Sequence, residues 1–203
     1  MTLLGLDFDN TLVRYDKLFH QLALEKGLIK ASLPAYKLTI RDYLRKRGQD
    51  EEFTILQGEV YGKRILEAEP AEGMLETLKE LKRLNIPMVL ISHKTRNPYK
   101  GPKYDLHKSA ISWLEKYNFF SKDGLDWSMN NLSFQSTKEL KVEKIHEMRC
   151  THYIDDLPDI LNMISSKVSR ILYDPERMHS KNQGYKIINE WKEIRQKLTL
   201  SNE

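Results

Sequence analysis

Four short apolar runs interrupt an otherwise polar chain, and each ends abruptly on a hydrophilic residue. Leu3 to Leu6 stops at Asp7, Met88-Val89-Leu90-Ile91 stops at Ser92, His152-Tyr153-Ile154 stops at Asp155, and Val168 to Tyr173 stops at Asp174. Runs of this length, rich in Val, Ile and Leu, are expected to be buried strands. Between them the apolar positions recur every three or four residues, the spacing of a helix that buries one face. Met74, Leu75, Leu78, Leu81 and Leu84 make one such stripe, and Leu106, Ala110, Trp113, Leu114 and Tyr117 a second. Val142, Ile145 and Met148 form a third, and Leu157, Ile160, Leu161 and Ile164 a fourth. Tyr185, Ile188, Trp191, Ile194 and Leu198 predict a closing helix. Strands alternating with helices predict an α/β fold, a Rossmann-like parallel sheet flanked by helices.

Residues 14–72 break this alternation. Leu18, Phe19, Leu22 and Ala23 form one helical face, Ile40, Tyr43 and Leu44 another, and Phe53, Leu56 and Val60 a third. With no strand among them, the segment reads as a small helical insertion whose ends lie close together. The sheet domain would then comprise 1–13 and 73–203.

Composition narrows the function classes. The chain has 203 residues, 33 Lys plus Arg against 29 Asp plus Glu, and a formal charge of +4. So small an excess permits an anionic ligand and makes nucleic acid an unlikely main partner. No apolar run reaches the roughly 20 residues of a membrane span. The start, MTLLGLDFDNTL, lacks the basic region and longer apolar run of a signal peptide. The single cysteine, Cys150, excludes an internal disulfide framework and reads as an inert buried thiol. These features together suggest a cytoplasmic protein; its oligomeric state is not encoded in them.

The chemistry gathers where the strands end. In an open parallel sheet, ligands bind beyond the carboxyl ends of the strands. Strand one runs into Asp7-Phe8-Asp9-Asn10-Thr11, strand two into Ser92, and strand three into Asp155-Asp156 with Asp159 a turn later. If these strands are neighbours, their carboxylates repel one another and call for a cation. Oxygen ligands without His or Cys point to magnesium. A basic, aromatic stretch, Ser92 to Tyr104, leaves directly from Ser92 and reads as a substrate loop, with His93, Lys94 and Arg96 as contacts.

These motifs resemble the haloacid dehalogenase-like (HAD) superfamily of phosphohydrolases. LLGLDFDNTL matches its first motif, MVLIS its second and HYIDDLPDIL its fourth; the third is a lysine ahead of the fourth, for which Lys138, Lys141 and Lys144 all compete. Lys141 is favoured because it precedes the Val142 stripe. The insertion at 14–72 is similar to the helical cap such proteins often carry between the first two motifs. The resemblance implies that Asp7 attacks phosphorus to form an aspartyl phosphate. It implies Mg2+ held by Asp7, the main-chain carbonyl of Asp9, and Asp155 or Asp156, with Asp155 preferred as the first acid after the strand. Asp9 would serve as acid and then base, and Ser92 and Lys141 would bind the phosphoryl oxygens. Asp156 and Asp159 would orient metal waters or Lys141. Members that cleave carbon–halogen bonds lack the second acid of the first motif, so Asp9 favours phosphoryl transfer. The expected activity is therefore a magnesium-dependent phosphatase, a phosphoric monoester hydrolase acting on a small phosphorylated metabolite such as a sugar phosphate or nucleotide. The alternative is a phosphate-sensing or scaffold protein of the same fold with little turnover.

Overall fold

The computed structural model describes residues 2–180 and 184–199. In chain order the elements are β1 (Leu4–Leu6), β2 (Val13–Arg14), α1 (Asp16–Glu25), α2 (Lys37–Lys46), α3 (Asp50–Tyr61), β3 (Glu69–Pro70), α4 (Met74–Arg83), β4 (Met88–His93) and α5 (Leu106–Lys116). They continue with β5 (Leu132–Gln135), α6 (Lys138–Glu147), β6 (His152–Asp155), α7 (Pro158–Met163), β7 (Ser169–Tyr173), β8 (Lys186–Ile188) and α8 (Ile194–Thr199).

Six strands form one parallel sheet in the order β5-β4-β1-β6-β7-β8. The strand nearest the start of the chain thus lies inside the sheet, between β4 and β6, with Leu6 level with both Leu90 and Ile154. This register explains why its three residues are all buried: both faces are covered, as in parallel sheets generally. On one face Val89 and Ile91 of β4, Tyr153 of β6 and Leu172 of β7 pack with Val142 and Ile145 of α6 and Ile160 and Leu161 of α7. Thr137 caps α6 by accepting the Leu140 N–H at 3.2 Å.

The chain divides into two compact units. The sheet unit holds the chain up to Val13, Pro70–Lys94 and the chain from Asn118 onward. The second holds Arg14–Glu69 and Thr95–Tyr117. Where the chain re-enters the sheet unit, the Ala71 N–H donates to the Leu12 carbonyl at 2.8 Å.

The division corrects the expectation that everything from 73 onward belongs with the sheet. Residues 95–117 join the helical unit because that unit's own packing requires them. Trp113 donates its indole N–H to Ala68 O at 2.9 Å. Pro98 and Tyr104 lie so close over α3 that a Cβ on Gly58 or Gly62 would come within 2.8 or 2.6 Å of them. Aromatic rings join the aliphatic core of this unit: Phe19 stacks on Phe53 and meets Tyr61 edge-on, each with ring centroids 5.8 Å apart.

A second correction concerns the end of the chain. The closing helix expected over 185–198 is instead β8, a 3-10 turn at Trp191–Glu193, and the short α8. Tyr185, Ile188, Trp191 and Ile194 do fall at a spacing of three. That spacing arises here from a three-residue edge strand followed by a turn, and Ile188 and Trp191 are buried from different elements. β5, the other edge strand, carries no apolar run and gives no strand signal in the sequence.

Candidate active site

Asp7 is the first residue past β1, and its N–H still donates to Ile154 O at 3.0 Å, so the backbone leaves the sheet at a fixed angle. The next turn is tight. Phe8 O accepts the N–H groups of both Leu12 and Val13, and Asn10 sits at φ 58°, a left-handed conformation that Asn tolerates better than most residues. β4 and β6 end beside β1, so Ser92, Lys94, Asp155 and Asp156 emerge at the same edge.

Lys141 lies at the centre of the cluster. It is 2% exposed, and its ammonium donates to Asp7 Oδ1 and to Asp155 Oδ2, each at 2.6 Å. Burial opposes the ammonium form, but Asp155 and Asp7 outweigh it and hold the pKa well above the ordinary lysine range. Burial acts oppositely on Asp155 and raises its carboxyl; Lys141 opposes this and Asp7 reinforces it. Asp155 uses both oxygens, since Oδ1 also accepts the Leu157 N–H at 3.0 Å. Tyr153 lies beneath Lys141, ring centroid 5.6 Å from Nζ, and donates its hydroxyl to Ile91 O.

Asp7 is 4% exposed. Its Oδ1 accepts from Lys141 and, at 3.0 Å, from the Ser92 hydroxyl. Among the described residues Oδ2 accepts no hydrogen bond. One oxygen is therefore tied down and the other is left for chemistry.

The three candidate lysines part company here. Lys138 pairs with Asp159 at 3.5 Å and Lys144 with Glu147 at 3.0 Å, while Lys141 alone of the three reaches the acids. Asp159, with a side chain 82% exposed, is thus engaged by Lys138 rather than by Lys141. His93 contacts Ser136 O at 3.1 Å. Arg96 belongs to the helical unit, where it pairs with Asp105 at 3.2 Å. Lys94 is 4% exposed and bonds both oxygens of Asp9, at 2.8 and 3.0 Å. The sequence shows Lys94 only as part of a basic stretch; its pairing with Asp9 spans 85 positions and has no local signature. Cys150 is buried, which pushes its thiol up to about 11 and leaves little thiolate at neutral pH.

Asp7, Asp155 and Asp156 each offer an oxygen, and these atoms lie within 4.8 Å of one another. Lys141 bonds two of these acids, Asp7 and Asp155, and Asp156 lies in reach of both. Such a set of oxygen donors fits a hard divalent cation.

No family model and no curated protein matches this sequence. Solved structures do match, and many are HAD-superfamily hydrolases. A HAD hydrolase of family IA, variant 3, from Entamoeba histolytica HM-1:IMSS has a TM-score of 0.58 at 15% identity, covering 98% of this chain and 99% of that one. A HAD family hydrolase from Deinococcus radiodurans R1, solved with bound phosphate and sodium, has 0.58 at 14% identity, covering 98% and 96%. A phosphoserine phosphohydrolase-like protein from Francisella tularensis subsp. tularensis SCHU S4 has 0.53 at 15%, covering 97% and 99%. At these identities the likeness establishes the fold: a parallel α/β sheet of the HAD type.

Proposed function

We propose that this chain, having the fold of HAD-superfamily hydrolases, is a magnesium-dependent phosphatase that works through a phosphorylated Asp7. The observation that carries the reading is the Lys141 ammonium held between Asp7 and Asp155, with Asp156 in reach and Asp7 Oδ2 left without a hydrogen bond. Matched chains that include a phosphoserine phosphohydrolase-like protein, and a hydrolase solved with phosphate, support it.

In this reading Asp7 Oδ2 attacks phosphorus, an Oδ2–P bond forms and the ester P–O bond breaks. Asp9 gives a proton to the departing oxygen, then takes one from the water that attacks the phospho-aspartate. That second attack breaks the Oδ2–P bond, releases inorganic phosphate and restores Asp7. Ser92 and Lys141 hold Oδ1 of Asp7, leaving Oδ2 as the reacting oxygen, and in this reading their donors also offset the charge that spreads over the phosphoryl group. Asp7, the Asp9 main-chain carbonyl and Asp156 would hold the magnesium, with Asp155, already committed to Lys141 and Leu157, completing the acid cluster. When bound, the ion supplies charge neutralisation between the anionic nucleophile and the phosphoryl oxygens. We expect a small phosphorylated metabolite as substrate.

Purified protein should release phosphate from para-nitrophenyl phosphate only with magnesium present, and Asp7→Asn should reduce the rate to background. Wild-type protein inert on a panel of phosphorylated metabolites, or full activity in Asp7→Asn, would overturn the proposal. The same panel identifies the substrate.

A further inference from the structure

Lys94 is the first residue after β4, two positions beyond Ser92. Its side chain is 2% exposed, against 20% for its partner Asp9. The ammonium meets both carboxylate oxygens, at 2.8 and 3.0 Å, and lies 5.4 Å from the centroid of the Phe8 ring. Both ends of the contact are anchored in the backbone. The Lys94 N–H donates to Gln135 O at 2.8 Å, which ties it to β5. Asp9 bridges to Val13 across the turn closed on Phe8 O. An ammonium that meets both oxygens at nearly equal distance sets the direction in which the Asp9 carboxylate points. A lysine employed for phosphate would instead direct its N–H groups toward the phosphoryl oxygens beside Asp7.

We propose that Lys94 is a positioning residue for Asp9. It fixes the carboxylate that hands a proton to the leaving oxygen and recovers one from water, and it contributes nothing directly to holding the phosphoryl group. This rests on the phosphatase reading above. The proton moves from Asp9 to the ester oxygen as the P–O bond breaks, and from water back to Asp9 in the second step. Lys94 takes no part in either proton transfer, and one of its two contacts persists while Asp9 carries the proton.

Misplacing an acid matters most when the leaving group is basic. The test compares kcat/KM, which covers the steps through leaving-group departure, for phenyl phosphate and para-nitrophenyl phosphate in magnesium. The proteins are wild type, Lys94→Met and Lys94→Gln, with folding checked by circular dichroism. Lys94→Met should lose about tenfold more on phenyl phosphate than on the nitrophenyl ester. Lys94→Gln, which keeps one donor, should fall between, and it carries the test alone if the Met variant does not fold. Equal losses on the two esters, or a loss confined to KM and to inhibition by inorganic phosphate, would overturn the positioning role while leaving the phosphatase reading intact. Wild-type protein inert on both esters would remove the phosphatase reading and this role with it.

Discussion

Burying an ammonium group forfeits several kcal/mol of hydration, and Lys141 recovers this only through carboxylates on both sides of it. Lys141→Met keeps the length and the apolar stem but leaves Asp7 and Asp155 facing each other without a cation between them. The metal-free protein should lose about 3–5 kcal/mol in urea unfolding. Saturating magnesium should shrink that loss, because a divalent ion would offset the same two charges. An equal loss with and without magnesium would show that the ion does not share this charge cluster. The sequence favours Lys141 only because it directly precedes the Val142 stripe; that it, and not Lys138 or Lys144, meets Asp7 and Asp155 is seen in the fold. Asp7, Ser92 and the Asp155-Asp156 pair stand out in the sequence because each directly follows an apolar run, and Asp9 because it lies two residues beyond Asp7. The Lys94–Asp9 pair does not: it depends on β4 lying beside β1, and a single sequence carries no sign of which strands are neighbours.

The strands were legible in proportion to their burial. The four at the middle of the sheet, β4, β1, β6 and β7, are sheathed on both faces and read as apolar runs. The two at the edges, β5 and β8, are mostly half-buried and mixed in composition, and each looks like loop or helix by pattern. Close packing at the centre has a testable cost. Gly5 of β1 lies so near β6 that a Cβ there would meet the Tyr153 ring at 2.5 Å and Cys150 Sγ at 3.0 Å. Gly5→Ala should therefore destabilise the fold by about 1–3 kcal/mol, as overpacking does. The measurement is the urea midpoint, and no change would mean that Tyr153 can move aside without penalty. Because the Tyr153 ring also lies under Lys141, the same variant should slow the phosphatase activity proposed above.

No helix among the described residues is long and apolar enough to cross a membrane. For the molecule as a whole, the clearest test is ligand-linked stability. Magnesium at about 100 times its Kd should add about 2.7 kcal/mol to the unfolding free energy, seen as a higher Tm. Asp156→Asn should abolish most of that gain, whereas a Tm indifferent to magnesium would count against the metal site. The departure from strand–helix alternation over 14–72 is visible in the sequence, whereas the grouping of 95–117 with that segment is not. A helix with a Trp113 stripe looks the same whether it packs on a sheet or on other helices.

The placement of β1 inside the sheet also bears on how the protein is made. Its two neighbours come from far along the chain: Leu3 bonds Thr151 across 148 positions, and Asp7 meets Lys141 across 134. Contacts of such long range form late and slowly. A ribosome-bound chain stopped before residue 152 has Asp7 but neither Asp155 and Asp156 nor the strand that closes the far edge of β1. Until β6 is added the acid cluster is incomplete, and an apolar strand edge stays open to chaperones and to misassembly.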